Sequence, residues 1–165
     1  MVGALLSVNE FTRLGYDMNL GVDAYLISVA KQQKKPVFEL ESQIAQIKFL
    51  TDMPPLLQEA FLENGLSAIE NGSMGEQITG VVNAWQSGDV KLMQAVVDEG
   101  NKSAKQTSEF DEVLLYSRHP GMLKKIEGYL LEDQPYFVAV GSLHLLGPKG
   151  LVELLRAKGY KVAQL

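Results

Sequence analysis

A chain of 165 residues with 46% hydrophobic and 21% charged side chains can bury about two thirds of its unfolded surface in a single domain, and it has no apolar run of about eighteen residues that could cross a bilayer. Its net charge of −5, with no cluster of lysine or arginine, argues against nucleic acid as a partner, because binding a polyanion draws on cationic side chains and the counterions they release. Zero cysteines exclude disulfides and thiolate metal sites but leave the compartment open.

The first eight residues lack the basic start and the length of apolar core of a secretion signal, so this stretch is not expected to export the chain. Past that short opening segment, residues 21–35 predict a helix with Val22, Leu26, Val29 and Ala30 on one stripe and lysines in the last turn to complement its dipole. Pro36 stops it. Residues 36–41 predict a short strand that puts Glu39 and Glu41 on one face, and Ser42 predicts the N-cap of a helix through Ile44, Ile47 and Leu50. Pro54 and Pro55 open another helix, apolar at Leu56, Leu57, Ala60, Phe61 and Leu62, which Asn71 and Gly72 end. Ser73 and Glu76 have the spacing of a capping box for a helix reaching Trp85. Asp89 is placed to cap the next, which carries Leu92, Met93, Val96 and Val97 and closes at Gly100. The polar residues 101–108 read as a flexible connection and residues 110–117 as helix. Pro120 and Gly121 kink or restart that helix, and residues 122–131 continue it. Pro148 falls at the first turn of a last helix, residues 150–158, ended by Gly159, and residues 160–165 predict a final strand.

Residues 136–150 hold the densest chemistry. Tyr136, Phe137, Val138, Ala139 and Val140 are strand formers bounded by Pro135 and Gly141, a pattern that predicts a buried strand, and Gly-x-x-His then places His144 just past its end. Gly141 would allow a sharp turn or a close backbone approach there. In an open α/β sheet, ligands collect outside the carboxyl ends of the strands. The expected fold is therefore α/β and helix-rich: a small, mostly parallel sheet with a large helical insertion between its strands, the last two strands parallel through a right-handed crossover. Three strands make a thin sheet for so many helices, so further strands are expected, and an unpaired edge would favour a homodimer.

Taken in order, Gly15-Tyr16, Gly21-Val22-Asp23, Ala30-Lys31, Lys35-Pro36-Val37, Leu40-Glu41, Gln46, Pro54, Gln58, Trp85, Gly88-Asp89, Arg118, Met122, the Gly141-x-x-His144 segment through Leu151, Leu154-Leu155-Arg156 and Gly159-Tyr160 resemble the TraB/GumN family, to which the Tiki proteins belong. The likeness covers nearly the whole of residues 1–165, read as a single domain. It implies a metal-dependent hydrolase of the peptidase kind, with a divalent ion such as Mn, Co or Zn, a peptide or protein substrate, and full-length members that are often extracytoplasmic. The family typically carries two Gly-x-x-His motifs and an acidic residue, whereas only the second motif is present here. The resemblance thus implies either an N-terminally truncated part of a longer protein or a shortened relative with an incomplete site, and in both cases little activity from this chain alone. His119 stands where the family usually has Asn after its Arg, which puts an amide role at that position in doubt.

As a metal ligand, His144 supplies one of the roughly three protein ligands that a catalytic ion needs. Glu41, at the end of its predicted strand, would be a second ligand or the base that takes a proton from water; otherwise it caps the following helix or faces solvent. Arg118 would steady an oxyanion or hold Glu41, its plainer reading being a surface ion pair. Gly141 and Asp23 support the motif, Asp23 by binding backbone N–H groups at a helix start. Glu39 reads as a surface residue, His119 as a turn residue rather than a ligand, and Trp85 as core. The competing function is a non-catalytic binding or regulatory module of the same fold.

Overall fold

The structure is a computed structural model that describes residues 2–165, except for the side chains of residues 2–4 and Met18. Among the described residues it contains nine α-helices: α1 (Val2–Arg13), α2 (Val22–Gln32), α3 (Gln43–Thr51), α4 (Pro55–Glu70), α5 (Ser73–Ser87), α6 (Val90–Ser103), α7 (Thr107–Leu114), α8 (His119–Leu130) and α9 (Leu151–Ala157). Short 3-10 turns lie at Met18–Leu20, Tyr116–Arg118 and Ser142–Leu145.

The local signals hold where their chemistry is local. Ser42 Oγ accepts the Ala45 N–H at 3.2 Å and starts α3, and Asp89 Oδ1 accepts the Leu92 N–H at 2.9 Å and starts α6. Pro55 occupies the first turn of α4, where its missing N–H costs nothing. Gly159, at φ +90°, follows the C-cap of α9. Three details differ. The capping box at Ser73 does not form, because the Asn71 side chain accepts the Ser73 N–H at 2.9 Å and Ser73 becomes the first helical residue. Gly100 does not end α6, which continues to Ser103 and absorbs the start of the polar connection. The opening segment is itself a helix, α1.

Helix α1 packs on α4 and α5, and α5 packs on α4 and α6. Met53, Leu57, Ala60, Ile78, Ala84 and Met93 supply the buried apolar side chains of this group. The α5–α6 approach is close: a Cβ at Gly80 would lie 3.0 Å from Val96 Cγ2. The other core joins α8 to α9 through Met122, Leu123, Ile126 and Leu151, with Leu40, Val140, Leu154 and Leu155 packed against it.

The expected α/β architecture is overturned: among the described residues there is no strand and no sheet, parallel or otherwise. Residues 36–41, 136–140 and 160–165 have strand-forming composition and stay outside regular structure. A strand is stabilised by the backbone beside it rather than by its own side chains, and no backbone–backbone hydrogen bonds join these three segments. Burial follows suit. Val140 reaches the α8–α9 core, but Phe137 is 80% exposed, and Trp85, expected in the core, is 54% exposed. Both line an open apolar groove of about 650 Å³ with Val138, Leu151, Leu155 and Val162.

In place of a sheet, α8 serves as the platform. Lys125 Nζ donates to the Glu39 carbonyl at 2.8 Å, which ties the segment ending at Glu41 to α8, while Leu40 and Val140 seat both extended segments on its core. The ends of those segments, Glu41 and Gly141, are thereby brought to the N-terminal end of α8, where Arg118 and His119 stand.

Candidate functional site

Arg118 closes the 3-10 turn that leads into α8. Its Nε donates to both Glu41 oxygens, at 3.1 Å to Oε1 and 2.9 Å to Oε2, its Nη2 also donates to Oε2, and its Nη1 donates to the Leu114 carbonyl at 2.7 Å. The side chains of Arg118 and Glu41 are 15% and 11% exposed, and they are 77 positions apart in sequence. The guanidinium lies 5.2 Å from the centre of the Phe49 ring. A planar fork suits a carboxylate in two-point contact, and all three nitrogens of Arg118 are already engaged. Arg118 thus clamps Glu41 in this structure, with Nε and Nη2 turned to the carboxylate and Nη1 to the Leu114 carbonyl.

His119 is the first residue of α8 and is 1% exposed. Its Nδ1 lies 2.7 Å from the Lys149 carbonyl and its Nε2 lies 2.9 Å from His144 Nδ1. His144, 7% exposed, sits in the 3-10 turn that follows Gly141, with its N–H donating to the Gly141 carbonyl at 3.0 Å. Burial pushes the His144 imidazole down to about 4, the charge of Arg118 pushes the same way, as would a proton on His119, and the Glu41 carboxylate opposes them. The influence of Glu41 and Arg118 on His144 places all four side chains in one electrostatic neighbourhood. Tyr116 closes one side with its ring edge-on to His119 at 5.7 Å, and burial raises its phenol above the usual range.

His144 and Glu41 therefore share a rim, although that rim belongs to a helix end rather than to a sheet. Asp23 makes no hydrogen bond or ion pair with these four side chains and is exposed in the first turn of α2, along the apolar groove. No side chain caps α2, so Asp23 acts on that helix through its charge near the dipole's positive end. Glu39 contributes its backbone carbonyl only, to Lys125. His119, read from sequence as a turn residue, is the most deeply buried polar residue of the cluster. The clue lay in the Arg118-His119 pair itself: an imidazole standing where the resembled family has an amide keeps a hydrogen-bonding function at that position.

The glycines of the motif play unequal parts. Gly141 has φ −57° and ψ 139°, and a Cβ there would meet His144 Cδ2 at an ordinary 3.8 Å, so neither backbone angle nor close approach requires glycine. Gly150 is different. A Cβ there would fall 2.3 Å from the Leu146 carbonyl oxygen and 2.8 Å from the Leu145 carbonyl carbon, both backbone atoms just beyond His144. Gly150→Ala is expected to lower unfolding free energy by about 2–3 kcal/mol, because backbone has to move, while Gly141→Ala shifts it by less than about 0.5 kcal/mol. Urea denaturation of the two variants checks this; equal effects would contradict the asymmetry.

A divalent ion fits these residues poorly. His144 offers one ring nitrogen, both Glu41 oxygens face Arg118, and among the described residues no group of three or more His, Asp or Glu side chains converges to hold an ion. A catalytic metal with an open position takes about three protein ligands, so the described residues do not build such a site by themselves. Among the described residues, no helix is long and apolar enough to cross a membrane.

The model of the TraB/PrgY/gumN family matches residues 1–164. The chain is similar to the uncharacterized protein YbaP of Escherichia coli K12, with 26% identity over 165 residues that cover 94% of this chain and 55% of that protein. It is similar to the same degree, over the same shares, to YbaP of Shigella flexneri. The chain thus spans about half the length of these relatives. No solved structure matches. A family match that runs through the clamp, the histidine pair and the Gly-x-x-His turn places the chain in the TraB/PrgY/gumN family.

Proposed function

We propose that the Glu41, Arg118, His119 and His144 cluster is the protein-side half of a hydrolytic site for peptide or amide bonds. The observation that carries this reading is the convergence of four polar side chains, all nearly buried, from three separate segments onto one helix end. Burying polar groups is costly unless they are bonded to one another, and ion pairs in such surroundings add little to stability over apolar packing, so a function is the economical reason to keep the set together.

In this reading Glu41 is the carboxylate that orients or deprotonates the attacking water, Arg118 is the positioning residue that holds it, and His144 presents an imidazole beside it. The Mn, Co or Zn ion that the resemblance implies would find one ligand at His144, and its other ligands would come from beyond the described residues. Peptide hydrolysis by this chain alone is accordingly expected at or near background. The alternative, a non-catalytic binding module, is favoured by the 650 Å³ apolar groove beside the cluster, which Phe137 and Trp85 line with exposed rings.

The test is the protein purified as its gene encodes it, with metal content measured by mass spectrometry and hydrolysis followed on a quenched peptide library. Loss of bound metal and of hydrolysis in His144→Ala and in Glu41→Gln supports the proposal. Variants that keep both, or a folded wild type that neither binds an added ion nor cleaves any peptide, sink it and leave the binding module.

A further inference from the structure

His119 holds two bonds whose directions can be worked out from chemistry. The Lys149 carbonyl can only accept, so the proton in the 2.7 Å contact sits on His119 Nδ1. The second contact joins two ring nitrogens 2.9 Å apart, and one proton must lie between them. His119 is 1% exposed, and its two ring nitrogens are bonded to a carbonyl and to an imidazole, not to a carboxylate. A second proton on His119 would create a buried charge with no counter-ion bonded to it, which is costly. Its Nε2 is therefore the acceptor, and His144 Nδ1 carries the proton.

We infer that His119 is a positioning residue that fixes His144 as its Nδ1–H tautomer, leaving the lone pair of His144 on Nε2. The chain of bonds runs from His144 Nδ1–H to His119 Nε2, and from His119 Nδ1–H to the Lys149 carbonyl. Lys149 is itself anchored, its Nζ 3.3 Å from Glu112 and 4.8 Å from the centre of the Tyr116 ring, so the terminal acceptor is held in place. Among the described residues, every buried side-chain nitrogen and oxygen has a partner, whereas Nε2 of His144 makes no hydrogen bond within the protein. That nitrogen therefore reaches solvent, where its lone pair is available to a hydrogen-bond donor or a Lewis acid. A ligand or base histidine is typically oriented in this way by the bond its other nitrogen makes. The consequence for chemistry rests on the hydrolytic reading of the cluster, while the tautomer itself does not.

The chain has only two histidines, so long-range proton–nitrogen correlation spectra of the ¹⁵N-labelled protein at mildly alkaline pH resolve both rings. In wild type, His144 is expected to show a protonated Nδ1 and an unprotonated Nε2. His119→Gln, whose amide oxygen reaches close to the position of Nε2, should keep that pattern. His119→Phe fills the same space without an acceptor and should turn the Nε2–H form of His144, which a free side chain favours, from the minor into the major species. A wild-type spectrum with Nε2 protonated overturns the inference, as does a folded His119→Phe that keeps the Nδ1–H form. Should the Phe variant fail to fold, the wild-type spectrum and the Gln variant still decide. Peptide cleavage by the protein as its gene encodes it, measured with an added divalent ion, separates the two ideas: the expected tautomer with no hydrolysis there retains the relay and discards the hydrolase.

Discussion

Replacing Arg118 with Ala is expected to lower unfolding free energy by about 3 kcal/mol, among the largest effects of any single side chain in the protein. Removing one partner of a nearly buried ion pair leaves the other charge desolvated and unpaired, which typically costs about 3–5 kcal/mol, and the lower end applies because the pair keeps some contact with solvent. The Leu114 carbonyl loses its Nη1 donor in the same substitution. Removing both partners should cost much less than the sum of the single changes, since Glu41→Ala also removes the orphaned charge. A double-mutant cycle by urea denaturation is expected to give a coupling of at least about 1.5 kcal/mol. Additive losses would mean that the contact is worth no more than a surface pair. Arg118→Lys should fall between wild type and Ala, because an ammonium keeps the charge but cannot reproduce the two-point fork.

Acid should cost the fold a comparable amount through His144. Its folded value of about 4 lies below the 6.5 of an unperturbed imidazole, so between those values the unfolded chain binds a proton that the folded chain refuses. Stability from this group is fully present above about 6.5 and is lost as pH falls toward 4. A shift of this size corresponds to about 3 kcal/mol. Other groups titrate in the same window, so the informative quantity is the difference between wild type and His144→Gln, which keeps a hydrogen-bonding side chain but cannot take up the proton. That difference is expected to move by about 3 kcal/mol against wild type between pH 7 and pH 4 in denaturant titrations. Parallel curves for the two proteins would show that His144 protonates as freely in the folded state as in the unfolded chain.

The same depression bears on function. A general base works best with a value near the operating pH, and an imidazole held down to about 4 is a weak base at neutrality. It is, however, unprotonated there, as a ligand or hydrogen-bond acceptor must be.

Helix ends were legible wherever one side chain or one backbone angle settles them. Ser42, Asp89, Pro55 and Gly159 act on atoms within four residues of themselves, so reading the chain in order finds them. Ser73 shows where this fails: two acceptors competed for a helix start, and Asn71 reached the Ser73 N–H. The strands could not be read in the same way. Residues 136–140 have the composition of a buried strand, but composition states only that a segment will pair if a partner lies alongside, and among the described residues none does.

Of the candidate site, the residue types were visible and their relations were not. Glu41, Arg118 and His144 drew notice because a carboxylate, a guanidinium and an imidazole each carry chemistry, and the family resemblance followed from their order along the chain. Order alone could not show that Arg118 is spent on Glu41, that Gly150 rather than Gly141 is the glycine the turn depends on, or that His119 stands behind His144. The clamp and the histidine pair depend on distances between atoms 25 to 77 positions apart in sequence, which arise only when α8 gathers the two extended segments at its N-terminal end, whereas the Gly150 contact is with the nearby Leu145 and Leu146 backbone and depends on how the turn folds back on itself. The sequence by itself thus determined the family, the helix caps and the inventory of reactive groups, because each is written in neighbouring residues. The tertiary structure alone decided the all-helical fold of the described residues, the clamp and the histidine pair, because pairing and burial belong to chain segments only once they meet.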